Sequence, residues 1–179
     1  MEIVEIKRER QEYISQIAAL ESAIFPDPWS AKSIAETLEN PQAKIWAVTA
    51  EPKSMSGQPQ NAGQKSLPGQ KSLPNQPQTA SLPRQILGYV IFYYVLDEGE
   101  IARIATSPEH RRQGVAAKLL EKMRAFSHDQ NIIRWLLDVR KSNEPAIHFY
   151  EAAGFARDGV RKNFYANPTE DAILMSCEV

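Results

Sequence analysis

The sequence predicts a mixed α/β fold in one domain that spans residues 1–179. A chain of this length with 42% hydrophobic residues can bury a single core. After an N-terminal part with two helical patterns, the chain reads strand, loop, helix, strand, helix, strand, strand. The loop in this series is basic, contains one glycine and leads directly into an amphipathic helix. This order of elements predicts a central mixed sheet with helices packed on it.

The N-terminal elements are predicted to be a short strand and two helices. Residues 2–6 combine polar residues with Ile and Val, which favour a strand, and apolar residues recur at helical spacing over residues 11–24. The prolines of Phe25-Pro-Asp-Pro-Trp29 end that helix, because proline lacks a donor N–H and restricts the residue before it. Ser30 is predicted to cap the second helix. Phe25 and Trp29 are predicted either to plug the edge of the core or to form a substrate wall.

Residues 51–84 are predicted to be a low-complexity, disordered loop inserted between strands at residues 44–50 and 85–96. The segment holds half of the chain's 12 prolines and no aromatic residue, and Gln-Lys-Ser-Leu-Pro occurs twice within it. Such a composition buries too little apolar surface to offset the chain entropy lost on ordering. The insert is therefore expected to interrupt the connection between the two strands without breaking their pairing.

The central strand is predicted at residues 100–106. Ile101 and Ile104 lie three residues apart, which a regular pleat would place on opposite faces of the sheet. Either both faces are buried or a bulge intervenes. A bulge would leave a backbone N–H and C=O unpaired in the middle of the sheet, available to a substrate.

The basic loop Arg111-Arg112-Gln113-Gly114-Val115-Ala116 is predicted to open into a helix over residues 115–129. The unpaired N–H groups of the first helical turn then point into the loop, with the helix dipole behind them. That geometry binds phosphate. The alternative is an ordinary loop whose glycine relieves strain.

The C-terminal part predicts an interior strand at residues 132–139 with apolar residues on both faces. Asn143 is predicted to cap a short helix that Gly154 ends. Two antiparallel strands, at residues 155–166 and 171–178, then close the sheet.

Composition argues against several classes of function. Lys and Arg total 21 and Asp and Glu total 22, so no strong overall field favours a direct nucleic-acid or membrane partner. The single cysteine, Cys177, permits no internal disulfide, and the three histidines show no metal-ligand spacing. Neither a signal-like apolar start nor a membrane-spanning run occurs in the sequence. We therefore expect a cytoplasmic protein without a metal.

Three segments resemble the GNAT superfamily of N-acetyltransferases. The spacing of Arg111, Gly114 and Ala116 resembles its acetyl-coenzyme A pyrophosphate loop, and residues 136–155 resemble its second signature segment. Residues 25–30 and 161–165 are similar to the RimI-type branch, which acetylates protein N-termini, including that of a ribosomal protein. The resemblance implies the GNAT fold, with six to seven strands and about four helices, and acetyl-CoA as co-substrate. It also implies a protein or peptide N-terminus as acceptor.

The same resemblance implies which residues bind the cofactor and the substrate. Asn143 and Tyr150 join the central strand and the basic loop in the set of cofactor-binding residues, which comprises Ile104, Ala105, Thr106, Arg111, Arg112, Gln113, Gly114, Val115, Ala116, Asn143 and Tyr150. Tyr165 resembles a tyrosine that lines the peptide slot, together with Phe25 and Trp29. Packing alone is the alternative role for Tyr165.

Three residues are predicted to be catalytic. Asp138 ends an otherwise apolar strand and matches the position of the general base in the RimI-type branch, where Glu is usual. The shorter Asp side chain favours a water between acid and amine. Its alternative role is a structural partner of Arg140 or of a helix N-terminus. Glu100 is the alternative base, and Tyr150 matches the general acid, with packing as its alternative role.

Two other functions remain open from the sequence. One is a small-molecule amine or antibiotic acetyltransferase of the same fold, and the other is a non-catalytic acyl-CoA-binding module. Retention of both Asp138 and Tyr150 argues against the second.

Overall fold

The computed structural model describes residues 1–51 and 84–179, which form one seven-stranded sheet with helices on both faces. The predicted disordered insert lies outside the described residues, apart from Glu51 and Arg84 at its ends. The elements in chain order are β1 (Glu2–Glu5), α1 (Gln11–Ile24), α2 (Ala31–Thr37), β2 (Ala43–Ala50), β3 (Gln85–Val95), β4 (Glu98–Thr106), α3 (Val115–Gln130), β5 (Arg134–Arg140), α4 (Glu144–Ala152), β6 (Ala156–Ala166) and β7 (Thr169–Glu178).

The sheet order is β1-β2-β3-β4-β5-β7-β6, and only the β4–β5 pair is parallel among the described strands. The predicted element order and the interior position of the strand at 132–139 are therefore confirmed. The helix boundaries agree closely with the expected ones, and Ser30 does cap α2 by accepting the Ser33 N–H at 3.1 Å. None of the described helices is long and apolar enough to cross a membrane.

Two hydrophobic clusters cover the two faces of the sheet. The α3 and α4 face contains the apolar side of α3, packed on residues such as Trp46, Phe92 and Trp135. The α1 and α2 face contains Ile14, Ile17 and Ile34. The sheet therefore separates two hydrophobic cores, and Trp46 and Trp135 are fully buried in the core on the α3 and α4 face.

The central strand contains the bulge that was one of the two sequence-based alternatives. Ile91 of β3 is opposite Arg103, whereas Phe92 is opposite Ile101, so Ala102 is the extra residue of β4. The extra residue restores Ile101 and Ile104 to the same face, where both contact the α3 and α4 cluster.

The parallel ladder between β4 and β5 is short. It joins Glu98–Glu100 to Arg134–Leu136, and no further pair joins these two strands beyond Glu100 and Leu136. The rest of β4 pairs only with β3, and the rest of β5 only with β7. The two strands therefore part toward their carboxyl ends and leave an opening in the sheet, which we call the fork.

Candidate active site

The predicted phosphate loop lies beside the fork with the expected backbone geometry. Gly114, at φ 78°, occupies the N-cap of α3, and Arg112 also has a positive φ of 57°. No side chain caps the helix, so the N–H groups of its first turn remain open to a ligand. Arg111 and Arg112 are exposed beside these groups. The residues thus fit an anionic pyrophosphate, which the N–H groups and the arginine charges would hold.

Close packing fixes the start of α3 against the sheet. A Cβ atom added to Gly88 of β3 would lie 2.6 Å from both Val115 Cγ1 and the Ala105 carbonyl oxygen. Only glycine lets the first residue of α3 approach β3 and β4 this closely. The predicted cofactor residues Ile104, Ala105 and Thr106 lie on β4 beyond its last pair with β5. The backbone edge of β4 at these residues therefore faces the fork.

The fourth helix brings the predicted acid toward the sheet. Asn143 caps α4 by accepting the Ala146 N–H at 3.3 Å, as expected. Tyr150 is 5% exposed, and its ring packs on Phe149 and Phe155. Burial, and secondarily the nearby Tyr165, raise the pKa of Tyr150 above its ordinary value. Its hydroxyl therefore stays protonated near neutral pH and can donate a proton.

Asp138 points away from the α3 and α4 cluster, because Leu137 and Val139 on either side of it are buried there. Its carboxylate accepts a hydrogen bond from Arg161 Nη1 of β6 at 3.1 Å. The alternative prediction, that Asp138 pairs with Arg140 or a helix N-terminus, is wrong. Arg161 of β6 and Arg140 of β5 are both paired with Ala172 of β7. The Arg161 side chain reaches Asp138, whereas the Arg140 side chain extends toward the β6–β7 turn.

Tyr165 connects the β6–β7 hairpin to Asp138. Its hydroxyl donates to the Asp138 carbonyl oxygen at 3.2 Å, and the Arg140 guanidinium lies 4.1 Å from the centre of its ring. Burial and then the charge of Asp138 raise the pKa of Tyr165, while Arg140 opposes this rise. The structure thus brings Asp138, Tyr165 and Tyr150 to one region.

Glu100 occupies the last ladder position before the fork opens. It is exposed and paired across the sheet with Tyr93 of β3 and Leu136 of β5. Within the ranges 1–51 and 84–179 its carboxylate has no ion-pair partner. Glu100 and Asp138 share the α1 and α2 face, since Leu136 is level with Glu100 and Asp138 follows two residues later. Both predicted bases therefore border the fork.

Phe25 and Trp29 lie at the edge of the α1 and α2 cluster, where both are partly buried. The Arg103 guanidinium lies 4.5 Å from the Phe25 ring centre and 5.7 Å from that of Trp29. This placement agrees with the core-edge alternative. A role for these two rings as a substrate wall stays a prediction.

A network of charged residues near the fork was missed by the sequence-based interpretation, which named Arg140 only as an alternative partner of Asp138. Glu21, on α1, is fully buried and accepts the Trp29 N–H at 2.9 Å and the Tyr89 hydroxyl. Arg103 pairs with Glu21 and Asp27, and Arg140 pairs with Asp27 and Glu170. Glu21 could have been found, because it continues the helical spacing of the buried residues Ile14 and Ile17.

Cys177 is buried in β7, as expected for a small apolar residue, and burial raises the pKa of its thiol. The expected absence of a metal stays a prediction. Within the described ranges, no group of three or more His, Cys, Asp or Glu side chains is arranged to hold an ion.

The fork, the uncapped helix beside it and the tyrosine of α4 form the arrangement expected of an acyl-CoA-dependent transferase. Residues 66–155 match the model of the Acetyltransferase (GNAT) family, and the chain belongs to that family. The protein is an N-acetyltransferase that uses acetyl-CoA.

Relatives with related names match the chain, and a solved structure shares its fold. A putative ribosomal protein bS18-alanine N-acetyltransferase of Bacillus subtilis is 26% identical over 95% of this chain and 92% of its own length. The Escherichia coli ribosomal protein bS18-alanine N-acetyltransferase is 34% identical over 53% of this chain and 66% of its own length. The crystal structure of the Escherichia coli ribosomal-protein-S18-alanine N-acetyltransferase has the same fold, with a TM-score of 0.71, 23% identity and coverage of 99% of this chain and 93% of that one.

Proposed function

We propose that this protein acetylates the N-terminal α-amino group of a protein, and that its acceptor is the N-terminal alanine of ribosomal protein bS18. The observation that carries the proposal is the convergence of Asp138, Tyr150 and Tyr165 at the fork. Asp138 and Tyr165 supply a carboxylate and a wall of the acceptor site, and Tyr150 supplies a proton donor from the α3 and α4 face of the sheet. The relatives named for bS18-alanine acetylation, one of which matches nearly the whole chain, support this choice of acceptor.

The donor side of the reaction would be held mostly by the backbone. The first turn of α3, with Arg111 and Arg112, would bind the pyrophosphate. The backbone groups of Ile104, Ala105 and Thr106 that face the fork would pair with the amide groups of the pantetheine arm, as an added strand would. Asn143 would contact the same arm at the start of α4. The thioester carbonyl would then lie in the fork between the two strands.

On the acceptor side, the amine would attack as its neutral form. A peptide α-amino group has a pKa of about 7.7 to 8.0, so a weak base is sufficient near neutral pH. Asp138 would accept the amine proton through a water, because its carboxylate also holds Arg161 and its side chain is short. Glu100, exposed at the mouth of the fork, is the alternative base.

Tyr150 would complete the transfer. As the new C–N bond forms and the C–S bond breaks, the departing sulfur takes up a proton, and the buried Tyr150 hydroxyl would donate it. The direct transfer within one ternary complex requires no acyl-cysteine, which agrees with the burial of Cys177.

We also propose that residues 1–179 form one acetyltransferase domain. Ala50 of β2 pairs with Gln85 of β3, so the strands on either side of residues 52–83 belong to one ladder.

The test of the proposed function uses the first six residues of the host's bS18 as a synthetic peptide with acetyl-CoA. A mass gain of one acetyl group on the free peptide, and none on the same peptide with a blocked N-terminus, is expected. The small-molecule alternative predicts acetylation of aminoglycosides or simple amines but not of the peptide, and that result would overturn the proposal. A module that only binds acyl-CoA predicts no turnover with either acceptor.

A further inference from the structure

Two arginines reach the fork from its opposite strands. Arg103 extends from β4 and Arg140 from β5, and their side chains are only 13% and 15% exposed. Neither guanidinium can lose its proton in a protein. Two such charges on the two sides of an opening without backbone hydrogen bonds repel each other and favour a wider opening.

One carboxylate lies between these two arginines. Asp27 Oδ2 is 3.3 Å from Arg103 Nη2, and Asp27 Oδ1 is 3.7 Å from Arg140 Nη2. Arg103 Nη2 also donates to the Asp27 carbonyl oxygen at 2.8 Å. The Asp27 side chain thus joins β4 to β5 at the place where the ladder between them has ended.

The loop that carries Asp27 is stiff and is anchored at both ends by Glu21. The Phe25 N–H donates to the Glu21 carbonyl oxygen at 2.9 Å, and the Trp29 N–H donates to its carboxylate at 2.9 Å. Pro26 and Pro28 flank Asp27 and restrict the backbone on both sides of it. The position of the carboxylate is therefore set before any acceptor arrives.

Arg140 extends the connection to the other wall of the acceptor site. It donates to the carbonyl oxygens of Asn167 and Pro168, in the β6–β7 turn, at 3.0 and 3.3 Å. It also pairs with Glu170 at 3.3 Å and covers the Tyr165 ring. A continuous path of ionic contacts thus runs from the 25–29 loop to the hairpin.

We propose that Asp27 is a positioning residue that holds the two walls of the acceptor site at a fixed separation across the fork. It acts through Arg103 and Arg140 and does not take part in proton transfer. The proposal rests on the proposed function, because the site whose width it sets is the one that receives the peptide. Loss of the Asp27 charge leaves Arg103 with Glu21 and Arg140 with Glu170 but removes the carboxylate that contacts both arginines. The 25–29 loop and the hairpin then move apart, and the peptide binds less tightly.

The test compares Asp27→Asn, which keeps the shape but removes the charge, with the wild type. We expect KM for the bS18 peptide to rise about tenfold, equivalent to about 1.4 kcal/mol. KM for acetyl-CoA and kcat should stay within about twofold of the wild type. Asp27→Glu should restore most of the affinity. Glu39→Gln, which removes the carboxylate of the exposed Arg8–Glu39 pair, is the matched control and should change nothing.

A second measurement needs no acetylation. Of the three tryptophans, Trp46 and Trp135 are fully buried, so acrylamide quenching of fluorescence reports mainly on Trp29 in the same loop as Asp27. Quenching should increase in Asp27→Asn and remain at the wild-type level in Glu39→Gln. Arg140→Lys, which keeps the charge but loses the planar guanidinium, should increase quenching as well.

The possible results separate the two proposals. If the wild type acetylates no peptide, the proposed function fails, and quenching alone decides whether Asp27 orders the loop. Unchanged KM and unchanged quenching in Asp27→Asn would overturn the positioning role. Parallel increases in KM for both substrates, with a lower melting temperature, would also overturn it, because they indicate general destabilisation.

Discussion

The donor and acceptor sides of the fork are built from different kinds of interaction. On the donor side, α3 begins at Gly114 without a side-chain cap, and β4 leaves one edge of its backbone without a strand partner. On the acceptor side, the 25–29 loop and the β6–β7 hairpin are held by ion pairs and side-chain hydrogen bonds. The donor side thus depends on backbone geometry, and the acceptor side depends on which side chains are present.

This difference indicates which side of the fork sets the specificity for the acceptor. Backbone N–H groups at a helix terminus bind any phosphate of suitable shape, so the donor site needs few particular side chains. Side-chain networks change with single substitutions, so the acceptor site can differ between proteins that share a donor site. Substitutions that act on one side only should therefore separate the two KM values.

The largest effect is expected from Tyr150→Phe, which removes the proposed acid but keeps the ring packed on Phe149 and Phe155. We expect kcat to fall by about 100- to 1,000-fold, a typical contribution of general acid catalysis, with both KM values nearly unchanged. Steady-state kinetics with the bS18 peptide measures this. A kcat within about threefold of the wild type would leave packing as the only role of Tyr150.

The raised pKa of Tyr150 leads to a related prediction for the pH dependence of kcat in the wild type. Because burial raises the pKa of Tyr150 above its ordinary value of 10.0, the hydroxyl stays protonated at and above that pH. No loss of kcat from deprotonation of the acid is expected between about pH 8 and 9.5. A decline of kcat in that interval that disappears in Tyr150→Phe would contradict the raised pKa of Tyr150, although not its role as the acid.

A smaller effect, of about 10- to 100-fold in kcat/KM, is expected from Asp138→Asn. Glu100→Gln should have less effect, because the proposed route of the amine proton passes through Asp138. The variant that lacks the base should lose more kcat/KM at a fixed pH, whereas the decline of kcat/KM below the amine pKa of about 7.7 to 8.0 should persist in both variants. A larger loss in Glu100→Gln than in Asp138→Asn would transfer the role to Glu100.

On the donor side, Gly114→Ala should increase KM for acetyl-CoA about tenfold. A residue with a Cβ atom in the left-handed conformation costs about 1 to 2 kcal/mol, so the loop is expected to shift and the N–H groups of α3 to turn away. Gly159→Ala is the matched control, because Gly159 has no positive φ and open space around its Cβ position. Equal increases in the KM of the peptide and of acetyl-CoA would contradict the separation of the two sides.

The smallest effect is expected from deletion of residues 54–82, which leaves five residues to join Ala50 to Gln85. These two residues are already paired, and loops of about two to five residues commonly close such hairpins. Both KM values and kcat should stay within about twofold of the wild type, and the melting temperature should change little. Loss of folded protein on deletion would contradict the interpretation of residues 51–84 as a dispensable insert.

The fold could be predicted from the sequence because its signals are local. Helical spacing defined α1 and α3, Ser30 and Asn143 defined two helix starts, and Gly154 defined the end of α4. These features depend on residues a few positions apart. The resemblance of the loop and of residues 136–155 to a known family supplied the rest.

The partners within the site could not be predicted, because they come from distant parts of the chain. Asp138 contacts Arg161 although β7 lies between their two strands in the sheet. Asp27 contacts Arg103 and Arg140 only after both strands have assembled beside the 25–29 loop. The spacing of residues within one segment does not show in which register two strands that are distant in the chain will pair. For the same reason, the sequence permits the bulge at Ala102 but does not require it.

The short ladder between β4 and β5 has a consequence for how proteins of this architecture can diverge. Three residue pairs, Glu98–Glu100 with Arg134–Leu136, set the separation of the strands through main-chain groups that every amino acid carries. Mutations that accumulate in the 25–29 loop or the hairpin do not alter that ladder. An ancestral gene can therefore acquire a new acceptor through changes at the periphery while its descendants inherit the means of holding acetyl-CoA unaltered.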